Sequence, residues 1–143
     1  MRSRGCLVVG LLLPPRLAQV VVEAVAQWWG LRGSETDVDE LEARPGGRWR
    51  FVQRYGNGGE DGFHGVFHDA VASERIIYTF EYEGIPGHVL LETITLEERD
   101  GRTHMTDSSV FQSVADRDGM LQSGMESGAA ESMDRLEEYL AKR

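Results

Sequence analysis

The stretch that decides the fold is Arg75-Ile76-Ile77-Tyr78-Thr79-Phe80-Glu81-Tyr82-Glu83. In an extended strand its residues alternate between two faces. Ile76, Tyr78, Phe80 and Tyr82 share one face, and Thr79, Glu81 and Glu83 share the other. This period of two is typical of a strand that is buried on one side and solvated on the other. We therefore predict a strand over 75–83 with an aromatic inner face.

The same period recurs in the segments on either side of this strand. In 48–55, Trp49 and Phe51 share the apolar face, and Arg48, Arg50 and Arg54 form a basic stripe on the opposite face. Turn sequences such as Asp100-Gly101 separate the segments. The other predicted strands lie around 38–43 and over 63–71, 88–98 and 103–111. Because each strand reaches the next through a short turn, the pattern predicts an antiparallel meander.

One long helix is predicted from Ser113 to about Leu140 to cover the aromatic face. Ser113 is a suitable N-cap, and an apolar stripe runs along the helix. The stripe comprises Leu121, Met125, Ala129, Met133, Leu136 and Leu140. Gly119, Gly124 and Gly128 fall inside this helix, although each glycine costs about 1 kcal/mol relative to alanine. We interpret them as places where the sheet or a ligand approaches the helix backbone.

The segment before Gln27 is harder to interpret. Cys6 to Leu13 predicts a buried first strand that ends at Pro14-Pro15, and 16–29 predicts a short buried helix that ends at Gly30. Arg2 and Arg4 before this apolar run also suit a minimal signal peptide, but Pro14-Pro15-Arg16 is a poor cleavage site. We favour the strand.

Composition limits the class of protein and its partners. The 143 residues fit one domain, 1–143, with an atypical segment at 1–26. The net charge of −9 argues against nucleic acid or an anionic membrane as the main partner. Cys6 is the only cysteine, which fits a reducing cytoplasm, and no segment reaches the roughly 20 apolar residues of a membrane helix. We expect a cytoplasmic protein.

Several familiar chemistries fail on spacing. On a strand, His64 and His68 would lie roughly 13 Å apart, too far for one metal ion. Ser108-Ser109 lacks the glycines of a nucleophile elbow, and no Lys-Ser/Thr follows the glycine-rich 56–59. We therefore expect no metal and no cofactor, and we assign no catalytic residue.

Two carboxylates are of interest. Asp107 shares the inferred inner face with Met105 and Phe111, unless a bulge turns it to solvent. Glu92 is ambiguous, because Leu90 and Ile94 share its face while apolar residues also occupy the other. A carboxylate among apolar side chains would have a raised pKa and would serve as an acid, a base or a ligand anchor.

Several blocks of the sequence together resemble a known family. They are 27–30 (QWWG), 44–49 (RPGGRW), 63–66 (FHGV), 74–80 (ERIIYTF), 111–113 (FQS), 116–125 (DRDGMLQSGM) and 128–132 (GAAES). This set is similar to the START-like (SRPBCC) superfamily, and within it to the bacterial branch named activator of heat-shock-protein-90 ATPase homologue. The resemblance covers about residues 27–143. It implies a helix-grip fold of the α+β class, in which a curved antiparallel sheet wraps around a long C-terminal helix and encloses an apolar cavity.

The first hypothesis is a non-enzymatic protein that binds a small apolar or amphipathic molecule in this cavity. Its predicted ligand-binding residues are Trp28, Trp49, Phe51, Phe67, Tyr78, Phe80, Met105, Asp107, Phe111, Met120, Gly124, Met125 and Gly128. The second is a cyclase- or hydratase-type enzyme that uses Asp107 or a cavity tyrosine for proton transfer. The third, implied by the branch name, is a module that docks on a chaperone or regulator, for which the sequence shows no motif. A homodimer that joins the basic stripe to Glu131, Glu137 and Glu138 is also expected.

Overall fold

A computed structural model describes residues 2–9, 24–71 and 74–142 of the chain. The strands are β1 (Arg2–Val9), β2 (Glu35–Leu41), β3 (Arg48–Arg54), β4 (Glu60–Val71), β5 (Arg75–Tyr82), β6 (Val89–Arg99) and β7 (Arg102–Val110). The helices are α1 (Val25–Trp28), α2 (Val114–Gln122) and α3 (Met125–Ala141). None of these helices is long and apolar enough to cross a membrane.

The seven strands of the described residues form one antiparallel sheet in the order β1-β7-β6-β5-β4-β3-β2. The meander from β2 to β7 and the α+β class are confirmed. β5, which corresponds to the strand predicted over 75–83, is the middle strand. β1 pairs with β7 over 2–9, so the strand predicted over 6–13 begins earlier in the chain than expected. Its predicted end at Pro14-Pro15 and the helical stretch 16–23 lie outside the described residues.

The inner face of the sheet carries the core. Trp28, Trp49, Phe51, Phe67 and Leu136 are buried in one cluster. Tyr78 and Phe80 of β5 pack against this cluster, and both rings lie near the indole of Trp49. The predicted inner face of β3 and β5 is therefore the face that the core uses.

Gly65 allows this aromatic packing. The Trp49 indole crosses β4 and donates from Nε1 to the carbonyl oxygen of Thr79, at 3.0 Å. A Cβ on Gly65 would overlap that carbonyl oxygen and crowd Trp49 Nε1. The glycine in Phe63-His64-Gly65-Val66 is therefore required by a close approach between two strands.

The C-terminal helix is broken, contrary to the single helix predicted over 113–140. The Ser113 hydroxyl accepts from the Asp116 amide, as expected of an N-cap, but α2 ends at Gln122 and α3 begins at Met125. Gly124 joins them with a left-handed φ of 82°. A Cβ at Gly119 or Gly124 would meet no described atom within 4 Å, so packing against the described sheet does not explain these two glycines. At Gly124 the explanation is the positive φ, which glycine adopts at little cost.

Only the second half of the predicted apolar stripe covers the core. Leu136 is 2% exposed, and Met133 and Leu140 pack against the same cluster. Leu121 is 42% exposed and Ala129 is also exposed, so their predicted contact with the sheet is wrong. The break at Gly124 accounts for Leu121, because it separates α2 from the helical phase of Met133 and Leu136. It does not account for Ala129, which lies in α3 itself.

Polar contacts fix α3 to the turn after α1. The Ser132 hydroxyl accepts from the Gly30 amide at 2.9 Å. The Arg135 guanidinium donates to the carbonyl oxygens of Gly30 and Gln27, at 2.9 and 3.2 Å. These bonds hold Trp28 and Leu136 together above the sheet.

The basic stripe on the outer face is paired within the chain. Arg48 lies against Glu40, Arg54 against Asp37 and Glu60, and Arg50 against Asp39 and Glu83. Arg50 lowers the pKa of Glu83 to about 2, chiefly through a two-point hydrogen bond. Because these arginines already have acidic partners, the stripe offers little unpaired charge to a second copy of the chain.

Candidate functional site

Four polar side chains meet on the inner face where β5, β6 and β7 adjoin. Tyr78 lies opposite Glu92, and Glu92 lies opposite Ser109. Asp107 lies two positions before Ser109 on β7 and is opposite Ile94. No register shift interrupts β7, so the bulge that would have turned Asp107 outward is not there. We call Glu92 and Asp107 the carboxyl pair.

Glu92 is the most deeply buried member, with 4% of its surface exposed. The Ser109 hydroxyl lies 2.8 Å from both carboxyl oxygens of Glu92 and donates to them. Burial, followed by the hydrogen bond and the charge of Asp107, raises the pKa of Glu92 to about 9. Glu92 is therefore protonated at neutral pH, in the middle of an aromatic and aliphatic face.

Asp107 is the acceptor for the proton of Glu92. Its Oδ1 is buried and accepts no hydrogen bond from any donor in the described part of the chain. A protonated Glu92 is the donor that this oxygen needs, because two ionised carboxylates side by side would repel each other. The pair then shares one proton, and its chemistry belongs to the pair rather than to either residue.

Tyr78 completes the cluster from β5. Burial, with smaller contributions from the charges of Glu92 and Asp107, raises the pKa of Tyr78 well above its ordinary value. The phenol stays neutral at physiological pH and keeps its proton to donate. Protein atoms surround Tyr78, yet the residue is only half-buried, so part of its surface stays accessible to solvent.

The structure divides the predicted ligand-binding residues into three groups. Trp28, Trp49, Phe51, Phe67, Tyr78 and Phe80 come together around the core cluster. Met105, Asp107 and Phe111 line the β7 side of the inner face, with Met105 and Phe111 buried. Met120, Gly124, Met125 and Gly128 surround the break between α2 and α3, where the nearest described atom to a Cβ on Gly128 belongs to Leu31.

From the sequence, the face of Glu92 was ambiguous, and Ser109 was rejected as a nucleophile. The signal was present for Glu92: Leu90, which is buried, and Ile94 occupy the same face at a period of two. For Ser109 the signal lay in its spacing from Asp107, since residues two apart on a strand share a face. No group of three or more His, Cys, Asp or Glu side chains in the described ranges is placed to hold a metal ion.

The fold matches several solved bacterial structures. A protein from Chromobacterium violaceum is 25% identical over 96% of this chain and 95% of its own, with a TM-score of 0.78. One from Rhodobacter sphaeroides is 22% identical over 99% and 93%, with a TM-score of 0.86. One from Arthrobacter aurescens is 20% identical over 98% and 87%, also with a TM-score of 0.86. At these identities the likeness concerns the fold.

The sequence also matches a family model, whereas no curated protein matches it. The model is described as Activator of Hsp90 ATPase homolog 1-like protein, and the match extends over residues 20–141. That span includes β2 to β7, the carboxyl pair and both C-terminal helices. The chain therefore belongs to the Activator of Hsp90 ATPase homolog 1-like family, within the START-like (SRPBCC) superfamily.

Proposed function

We propose that this protein binds a small, mostly apolar molecule between the inner face of the sheet and the C-terminal helices. Ligand-binding cavities are known in its family. The proposal places the aromatic cluster at one end of the ligand and the carboxyl pair at the other. The ligand would thus be amphipathic, with an apolar body and one polar group.

The observation that carries the proposal is the incomplete burial of β5. The middle strand of a seven-stranded sheet under a helix should have the most buried inner face of the protein. Instead Ile76, Tyr78, Phe80 and Tyr82 are all only half-buried. Tyr78 is surrounded densely enough to raise its pKa and still keeps accessible surface. Accessible surface on the inner side of a central strand is what a ligand would cover.

The test is a titration with N-phenyl-1-naphthylamine, an uncharged fluorophore that brightens in apolar surroundings. We expect one molecule to bind per chain. Ile94→Trp adds bulk on the inner face, between Ile76 and Asp107, and should weaken binding at least about 10-fold, a loss of about 1.4 kcal/mol.

Thr95→Trp is the matched control, because the next residue of β6 points to the outer face. It should bind the fluorophore as the wild type does. Circular dichroism confirms that both variants are folded. Equal binding by a folded Ile94→Trp variant, or no binding by the wild type, would rule out the proposed site.

A second candidate function is acid–base catalysis, favoured by the protonated Glu92 beside Asp107. A carboxyl with a pKa of about 9 can donate a proton at neutral pH, and Asp107 is adjacent to receive one. Turnover would then depend on the pair more than affinity does. For any ligand found, Asp107→Asn should abolish turnover and preserve affinity if the protein is an enzyme, and should weaken affinity if the protein is a binder.

A further inference from the structure

The carboxyl pair carries a charge that needs a partner. One proton shared between Glu92 and Asp107 satisfies the buried Asp107 Oδ1 and leaves the pair with one negative charge. That charge lies on the inner face, between Tyr78 of β5 and Ser109 of β7. A charge in apolar surroundings is costly unless an opposite charge or hydrogen-bond donors compensate it.

The described residues supply a hydrogen-bond donor to Glu92 but no cation to the pair. Ser109 donates to Glu92, and this bond is the only influence that lowers the pKa of Glu92. No arginine, lysine or histidine contributes to that pKa. The cations of the outer face, such as Arg50, are paired with outer carboxylates instead. Within the described residues, the negative charge of the pair is therefore unmatched.

Asp107 is the member of the pair that a ligand can reach. Glu92 is 4% exposed, whereas Asp107 is half-buried and keeps accessible surface. On β1, the residue opposite Asp107 is Gly5, which has no side chain. On β6, the opposite residue is Ile94, itself half-buried. Neither cross-strand neighbour of Asp107 therefore has a side chain that could donate a hydrogen bond to its carboxylate.

We infer that the ligand is an apolar molecule bearing a protonated amine, and that its N–H group bonds to Asp107 while Glu92 holds the shared proton. This inference rests on the proposed function and specifies the polar group of its ligand. A protonated amine supplies both a donor and the missing positive charge. A neutral alcohol supplies only the donor, and a carboxylate adds a second negative charge. The ligand class therefore follows from the charge of the pair.

A matched series of naphthalenes tests the inference on the wild-type chain. The probes are 1-naphthylmethylamine, 1-naphthalenemethanol, 1-(methoxymethyl)naphthalene and the carboxylate 1-naphthaleneacetate. The affinity of each is measured at neutral pH by displacement of N-phenyl-1-naphthylamine. They share one apolar ring and differ in charge and hydrogen-bonding group. We expect the amine to bind about 10- to 100-fold more tightly than the ether, the range for a hydrogen bond to a charged group. The alcohol should fall between them, and the acetate should bind most weakly.

The outcomes separate this inference from the function on which it rests. If the amine and the ether bind with equal affinity, the protein binds apolar molecules but the amine assignment is wrong. If the acetate binds best, the charge of the pair has been misassigned. If no naphthalene binds, both the inference and the proposed function fail. None of these results depends on a variant that must fold.

Asp107→Asn locates the effect. It removes the negative charge with little change of shape, and should reduce the amine's advantage over the ether at least about 10-fold. Glu98→Gln is the matched control, since Glu98 is an exposed carboxylate on β6. It should leave the preference for the amine unchanged. A folded Asp107→Asn variant that still prefers the amine to the same degree would overturn the assignment to Asp107.

Discussion

Glu92 should make the stability of the protein fall as pH rises through the neutral range. Its pKa is about 9 in the folded chain and 4.5 as an ordinary carboxyl. Between these values the folded state holds a proton that the unfolded state has lost, so raising the pH favours unfolding. One proton corresponds to about 1.4 kcal/mol per pH unit. From about pH 6 to about pH 8, Glu92 should lower the free energy of unfolding by about 3 kcal/mol.

Glu92→Gln isolates this contribution. Glutamine has nearly the same shape and does not titrate, so other ionisable groups cancel when the variant is compared with the wild type. The assay is urea unfolding of both proteins at about pH 6 and about pH 8, with Glu98→Gln as an exposed control from the same strand. Between about pH 6 and about pH 8, the free energy of unfolding of Glu92→Gln should rise by about 3 kcal/mol relative to that of the wild type. The free energy of unfolding of the Glu98→Gln control should change with pH as the wild type's does. Parallel pH dependence of the wild type and Glu92→Gln would refute a protonated Glu92.

Three further substitutions test neighbouring features. Asp107→Asn should lower the Glu92 pKa, because the hydrogen bond and the charge of Asp107 both help to raise it. Carboxyl-carbon NMR measures this pKa, and an unchanged value would show that Asp107 does not interact with Glu92. Gly65→Ala should cost about 1–3 kcal/mol in chemical unfolding through overlap with the Thr79 carbonyl. Gly62→Ala on the same strand meets the movable side-chain ends of Glu83 and Arg50 and should cost less, so equal losses would contradict the close approach at Gly65. Gly124→Ala should cost about 1 kcal/mol because of its left-handed φ, whereas Gly119→Ala inside α2 should be neutral or stabilising; thermal melts that show the same change for both would argue against the turn.

The sheet was predictable because one face of each strand is buried. The alternation in 75–83 sorts every residue by face, and the structure keeps that assignment through β5. The resemblance of the later blocks added the helix-grip arrangement, which the family match supports. Local pattern and overall fold agree here, as expected where packing alone sets the sequence.

The break in the C-terminal helix was not predictable in the same way. Gly119 and Gly124 have the same local signal, a glycine in a helical pattern, yet only Gly124 takes a positive φ. The sequence shows that each glycine is unfavourable inside a helix, but it does not show which glycine adopts a positive φ and ends the helix. The pairing of the basic stripe was missed for a similar reason, because the partner of Arg50 across the sheet, Glu83, is 33 residues away.

Only one member of the carboxyl pair, Asp107, could be placed on the inner face from the sequence. Asp107 was recognised by its alternation with Met105 and Phe111, but its partner depends on the register between β6 and β7. That register brings Glu92 opposite Ser109 and beside Asp107, and no pattern within a single strand specifies it. The sequence therefore indicated two separate carboxylates of interest, and the structure brings them together as one pair.

The most direct test of ligand binding on the inner face is the position of a bound probe. Isotope-filtered NMR of the chain with 1-naphthylmethylamine measures contacts between the naphthalene ring and individual side chains. If the ligand binds on the inner face, we expect contacts to the Tyr78 ring and to the methyl groups of Ile76 and Ile94. Contacts confined to the exposed outer-face residues Leu91 and Val110, which lie opposite each other on β6 and β7, would contradict it.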